Sequence, residues 1–536
     1  MHIIDLAIFI VYMLAMLGVG FFFLRKNKGL DDYYVGGRGM TSWHIGLSVV
    51  ATDVGGGFSI GLGGLGFTMG LSGSWMLFTG LIGAWLAAVF LIPVVRGNPA
   101  FSKFHTMPQV YNFFFDKRVA LTAAIISAIG YAGFTSSQIL AGAKLASGTF
   151  QGLDLSTALI IMGTIAVVYT VMGGIKAVIY TDTIQWIILL AGLIFIGIPL
   201  SYSAIGGWEG VKDTVKPEMI TLTNISWQDI VYWVVTIIPI WFVGMTLYQR
   251  IYASKDVKTA KKAWYLAGLF EWPIMAFMGV ALGLFARVAA DQGMFDYLGA
   301  ANIAETDPEQ GLPMLLRTIL PVGLLGLMMS AYFSAILSTA DSCLMASSGN
   351  IVSDFIQKFT SKFNSEKSVL RLSQVVTLIV GILALLIASV MENVLSLMLY
   401  SYAFMVSGLF VPILGALFWS KSSSTGAFWG MITGGLVTAT LQAHKLALST
   451  TLNKTEVMNV FNKVSEQVDL SYIAVNELTP GKIISAINSS QIIALESIEL
   501  YFTLPYKLDP NVFGITASAI VFVILSLMYP NNKKEK

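Results

Sequence analysis

A single cysteine, Cys343, leaves no partner for an internal disulfide and no basis for a cysteine-rich metal site. Charge is scarce as well. Asp, Glu, Lys and Arg make up 12% of the 536 residues, whereas soluble domains carry about 25%. The net charge of +2 is too small to point to nucleic acid. No Walker-type phosphate loop is present, so nothing in the chain suggests nucleotide-driven work. What fills the space is apolar: 56% of residues are hydrophobic and the mean hydropathy is +0.74.

Apolar runs of roughly twenty residues, the length that crosses about 30 Å of hydrocarbon, recur along the chain. They predict an all-α, polytopic membrane protein of about thirteen helices, near 4–24, 43–69, 74–95, 119–148, 156–173, 178–204, 227–248, 264–290, 321–349, 372–391, 395–419, 425–443 and 511–529. Lys and Arg concentrate in alternate connections, among them Arg25 to Arg38, Arg96 to Arg118, Arg250 to Lys262 and Lys358 to Arg371. By the positive-inside rule the N-terminus is expected outside and the C-terminus in the cytoplasm. The first apolar run lacks a basic leader and is expected to stay as a span. The division expected is a core of twelve helices over 1–443, a polar extracytoplasmic insertion over 444–510, and a last helix with a short tail over 511–536.

Three segments carry the chemistry. In Ser48-Val-Val-Ala-Thr-Asp-Val-Gly-Gly-Gly-Phe-Ser59 an acid sits inside an apolar span, where charge is costly and usually faces a partner, a cavity or an ion. The glycines at 55 to 57 weaken the helix there, and non-helical backbone within a membrane lines binding cavities, where its carbonyls can hold sodium. In Ser334-Ala-Ile-Leu-Ser-Thr-Ala-Asp-Ser342 the hydroxyls of Ser338 and Thr339 lie one helical turn after the Ala335 carbonyl. With oxygens near Ala51 and Val54 they would make an uncharged cage for a hard monovalent cation. Hydroxylated residues also simply join membrane helices, but Asp341 beside them is hard to explain as packing. In Tyr169-Thr-Val-Met-Gly-Gly-Ile-Lys-Ala-Val-Ile-Tyr-Thr-Asp-Thr-Ile-Gln185 a turn is expected at Gly173-Gly174. Asp182 and Gln185 follow, one turn apart, able either to receive a released cation or to cap the helix and pair with Lys176.

Taken together, and with Asp32-Tyr-Tyr-Val-Gly-Gly-Arg38 and Gln249-Arg250, these segments resemble the sodium:solute symporters, the family of sodium-coupled sugar, proline, pantothenate, choline and sialic acid carriers. The resemblance implies two inverted five-helix repeats with broken helices. It implies no cofactor and no enzymatic activity; sodium is the coupling ion, and a small organic solute and the lipid bilayer are the partners. By position, Ala51, Val54 and Ala335 would offer carbonyls and Ser338 and Thr339 hydroxyls to sodium. Asp182, Asp341 and Ser342 would serve a second sodium or its release path. The expected solute site comprises Asp53, Gly55, Gly56, Phe58, Trp75, Trp241 and Glu271.

Leu77, Phe58 and Ile237 offer a polyol few hydrogen-bond partners. The position of a lysine in sugar carriers reads here as Glu271. Asp53 with Glu271 would suit an amine or quaternary ammonium, unless Glu271 pairs with Lys144 or Arg250. The function expected is sodium-driven import of a solute, an amino acid or other zwitterion or an organic cation before a sugar, at the plasma membrane of a bacterium. The alternative is a transporter-like sensor that signals through a partner.

Overall fold

A computed structural model describes residues 2–26, 34–150, 152–300, 303, 306–357, 365–451 and 508–530, with backbone alone at 17, 20, 23–26, 54, 57–58, 172–177, 366–367 and 446–451. Nearly all of it is helix, and the β-structure recorded is one isolated bridge between Met40 and Ser254. The principal helices are α1 (Ile3–Lys26), α2 (Ser42–Met69), α3 (Trp75–Leu86), α4 (Lys117–Thr149), α5 (Leu155–Gly192), α6 (Trp227–Val243) and α7 (Met245–Ala253). They continue with α8 (Val257–Leu269), α9 (Ala276–Asp291), α10 (Pro308–Ile319), α11 (Leu324–Gly349), α12 (Glu366–Ala388), α13 (Val394–Phe418), α14 (Ser424–Thr451) and α15 (Pro510–Met528).

Each of the thirteen predicted runs falls on helical backbone. Eight helices among the described residues are long and apolar enough to cross a membrane, or nine with the pair Trp227–Val243 and Met245–Ala253, bent by 43°. Ile3–Met16 and Leu155–Val171 are shorter apolar helices. The turn expected at Gly173-Gly174 is not found: the backbone there is helical, so the runs predicted at 156–173 and 178–204 join in the continuous α5. Most of the 444–510 insertion lies outside the described residues.

Local sequence sets the helix starts. Asp116 accepts hydrogen bonds from the backbone N–H of Arg118 and Val119 at the start of α4, and Asn393 accepts one from Ser396 at the start of α13. Two helices are interrupted. α2 breaks at Gly55, and α8 passes into α9 through Phe270–Met275, where Trp272 is extended at φ −137° and ψ 126°. Pro273 beside it removes a backbone donor.

The two interrupted helices cross with their backbones in contact. A Cβ on Gly66 would lie 2.2 Å from the Val280 carbonyl, and one on Gly283 would lie 2.0 Å from the Gly63 carbonyl. Glycine thus sets the distance at which the two breaks face each other. α11 is buried along nearly its whole length and packs against α2, α4 and α5. At the other side of the bundle Gly426, Gly430 and Gly434 of α14 receive Ser526, Phe522 and Ser518 of α15. Asn511, Ser407 and Thr438 close that seam with hydrogen bonds of 2.6 Å.

Candidate functional site

The break in α2 places backbone and hydroxyl oxygens together. Gly55 adopts φ +32° and ψ −159°, a region that side-chain-bearing residues avoid. A Cβ there would also meet Thr339 Oγ1 at 2.7 Å. The Gly56 N–H, just past the break, donates to Gln138 Oε1 of α4 at 2.8 Å. Thr339 Oγ1 donates to the Ala51 carbonyl at 3.0 Å and lies 3.2 Å from the Ala335 carbonyl, to which Ser338 Oγ donates at 3.0 Å.

Four of the five residues expected around sodium therefore meet where α11 crosses the break. Val54 lies in the same helix, but its side chain, like that of Phe58, is outside the described residues. A hydroxyl has one proton and two lone pairs, so rotation can turn either oxygen toward a cation. The set is uncharged and made only of oxygen, as suits a weakly held alkali ion.

Beside this set lies a charged cluster that sequence reasoning only partly anticipated. Asp182 Oδ2 accepts a hydrogen bond from Ser48 Oγ at 2.6 Å and stands 3.7 Å from the Arg250 guanidinium. Arg250 is fully buried and ties three helices together. It donates to the Ser48 carbonyl and hydroxyl at 3.3 and 3.1 Å, to the Thr246 carbonyl at 3.2 Å, to Ser342 Oγ at 3.0 Å, and to Thr52 Oγ1.

Asp341 turns the other way and takes a hydrogen bond from Thr170 on α5. Of the three residues expected to serve a second sodium or its release path, Asp182 and Ser342 thus share the Arg250 guanidinium, and Asp341 is held by Thr170. A small cavity between α1, α5 and α11 has Tyr169, Gln185, Ser334 and Ser338 in its wall, so it adjoins the hydroxyl pair from behind. Gln185 turns toward Met16 of α1, its Nε2 3.7 Å from the sulfur, and does not form a pair with Asp182.

Of the expected solute residues, Asp53 and Glu271 meet where the two helix breaks face each other. Asp53 lies two residues before Gly55, and Glu271 lies one residue before the extended Trp272. Their carboxyls come within hydrogen-bonding reach of each other. Tyr402 of α13 donates to Asp53 Oδ1 at 3.4 Å. Glu271 lies against Gly80 of α3, where a Cβ would fall 2.1 Å from Oε2.

Neither alternative partner of Glu271 reaches it. Lys144 binds Asp307 and Glu309 at 2.8 and 2.7 Å, and Arg250 is spent on the cluster around Asp182. Trp75 stacks on Trp272 at 6.5 Å with an interplanar angle of 19°, and Phe78 meets both rings edge-on at 5.1 and 5.0 Å. Trp241 does not join them; it packs on Trp264 and Gly83, one turn of α3 beyond Gly80. Gly55 and Gly56 contribute close backbone, against Thr339 and Ile336 respectively.

Tyr402 and Gly80 carry no signal in the sequence. The second break did carry one, in the Glu-Trp-Pro interruption of an apolar run.

Comparison with known proteins follows the same outline. The profile of the sodium:solute symporter family matches residues 33–434. The high-affinity proline transporter PutP of Bacillus subtilis is 29% identical over 435 residues, covering 78% of this chain and 88% of the relative. The sodium/glucose cotransporter of Vibrio parahaemolyticus is 27% identical over 464 residues, covering 80% of this chain and 83% of the relative. In structure the chain is similar to the substrate-bound outward-open state of a Na+-coupled sialic acid symporter, with a TM-score of 0.72 at 22% identity over 98% of both chains.

Proposed function

Since the chain belongs to the sodium:solute symporter family, and so is a polytopic membrane transporter and not an enzyme, we propose that sodium binds where α11 crosses the broken α2. The ligands are the Ala51, Val54 and Ala335 carbonyls and the Ser338 and Thr339 hydroxyls. The observation that carries this reading is Thr339 Oγ1, which joins the Ala51 carbonyl of one helix to the Ala335 carbonyl of the other. A cation at that junction clamps the break against α11 and so organises the neighbouring solute site, raising its affinity. The solute lies beside Asp53, Gly55, Gly56, Phe58 and Glu271, with Trp75 in the aromatic wall next to them and Trp241 set apart on Trp264, and is an amino acid or another nitrogen-bearing solute before a sugar.

Release follows from alternating access. Asp182 stands beside Ser338, a sodium ligand, and beside Arg250, so an ion leaving Ser338 meets a carboxylate whose charge a guanidinium already answers in part. Asp341 and Ser342 extend that route or hold a second ion. The chain works in a bacterial plasma membrane with its N-terminus outside and its C-terminus in the cytoplasm. The sensor alternative predicts a signalling module, and no observation favours it.

The test is uptake of labelled proline, choline, pantothenate, lactate and glucose into proteoliposomes, with and without an inward sodium gradient. One solute is expected to accumulate only with sodium. The Ser338→Ala/Thr339→Ala variant should lower that accumulation by about a hundredfold, the scale of losing several ligands to an ion. Unchanged sodium dependence in the variant would remove sodium from this place.

A further inference from the structure

The acid at each helix break lacks what a buried carboxylate needs. Asp53 and Glu271 are 5% and 0% exposed, and among the described residues neither Glu271 oxygen nor Asp53 Oδ2 has a hydrogen-bond donor. Asp53 Oδ1 has a long bond of 3.4 Å from Tyr402. The two carboxyls adjoin, yet carboxylates present only lone pairs and cannot satisfy one another. Buried negative charge persists where a cation answers it, and buried polar atoms persist where they are hydrogen-bonded. Among the described residues the buried bases are engaged elsewhere: Arg250 at Asp182, Lys144 at Asp307 and Glu309, and Arg287 at the Phe67 carbonyl. The site therefore asks for two things from outside: positive charge and several donors.

Three kinds of solute meet this demand differently. A quaternary ammonium brings charge but no N–H. A polyol brings donors but no charge. A primary or secondary ammonium, or a guanidinium, brings both in one group. We infer that the solute carries a protonated nitrogen with at least two N–H bonds, and that this nitrogen bridges Asp53 and Glu271.

The inference rests on the symport reading and narrows its substrate class. Two further features agree with it. Gly80 leaves the Glu271 carboxylate a place to stand, and the rings of Trp75, Phe78 and Trp272 provide an apolar wall next to it for the solute's carbon skeleton. A proton shared by the carboxyls is the competing way to satisfy them, and it would give the site no preference among nitrogen substituents.

Matched solutes test this directly. The full chain in proteoliposomes under an inward sodium gradient is offered proline and N,N-dimethylproline, glycine and glycine betaine, ethanolamine and choline, and glucose. At least one N–H-bearing member should accumulate, with its methylated counterpart lower by about tenfold or more, the range for losing hydrogen bonds to a charged group. Glu271→Gln, nearly isosteric, should lower uptake of that member by a similar factor while sodium-induced tryptophan fluorescence is retained.

Equal or faster accumulation of a methylated member or of glucose overturns the ammonium and leaves symport standing. Accumulation of no N–H-bearing member, with the sodium response intact, overturns it as well. Uptake of an N–H-bearing member that ignores the sodium gradient does the reverse: it keeps the ammonium and removes the coupling.

Discussion

Glu271 and Glu309 are both buried glutamates in an apolar bundle, at 0% and 3% exposure, and their surroundings are opposite. Glu309 begins α10, where Asp307 caps the helix. Its Oε2 takes the Lys144 ammonium at 2.7 Å and the Val394 N–H at 2.9 Å, while Oε1 takes the Leu395 N–H at 3.0 Å. One carboxylate thus neutralises a lysine and supplies the first amides of α13 with an acceptor, a favourable place for negative charge at a helix start. Glu271 has no donor among the described residues and stands against a second acid. An acid that its own chain fully answers builds the fold. One that the chain leaves unanswered is held for something that arrives later, at a cost in stability met by the packing around it.

Exchanging the two roles by mutation is the sharpest way to break this contrast. Glu309→Ala leaves Lys144 short of a partner and two amides without an acceptor, and should destabilise the protein by about 3 kcal/mol, the scale for breaking a buried pair. Thermal melting in detergent reads this. Glu271→Gln should leave the melting temperature unchanged or raised, since it removes charge repulsion, while its loss appears in uptake. If both variants melt alike, the distinction between the two glutamates is wrong.

Gly80→Ala probes the same carboxylate more gently. Its Cβ would occupy the space of Oε2 and push Glu271 aside, weakening the apparent solute affinity roughly fivefold, with KM for uptake as the measure and sodium dependence unchanged. The smallest effect is expected from Tyr402→Phe. A 3.4 Å hydrogen bond contributes little, so uptake should change by less than about threefold. A larger loss would make Tyr402 a solute ligand.

Much of this arrangement was legible because membranes make exceptions conspicuous. An acid, three glycines and adjacent hydroxyls have no cheap explanation inside an apolar span, so Asp53, Gly55, Ser338 and Thr339 stood out, and the helix does break at Gly55. Partners were not legible. Arg250 reaches Ser48 across 202 positions and Tyr402 reaches Asp53 across 349, separations that leave no periodic trace. Sequence exposes the cost of a buried charge, while the group that offsets it is known only once helices are packed. The possible pairing of Glu271 with Lys144 or Arg250 illustrates this: both bases were nearby in expectation, and both had closer claims on them. The number of full spans was blurred for a related reason, since broken and bent helices divide apolar runs that read as continuous.

The seam between α14 and α15 fixes the last helix to the bundle. The two helices run antiparallel, glycine against serine and phenylalanine, and Lys445 near the end of one lies within electrostatic reach of Asp509 before the start of the other. They act as a clasp whose teeth are missing side chains. An alanine at Gly426 or Gly430 would set its Cβ 2.2 Å from Ser526 Oγ or 3.1 Å from Phe522 Cβ, and the last helix would be lifted from the bundle while the crossing of α2 with α11 stays as it is.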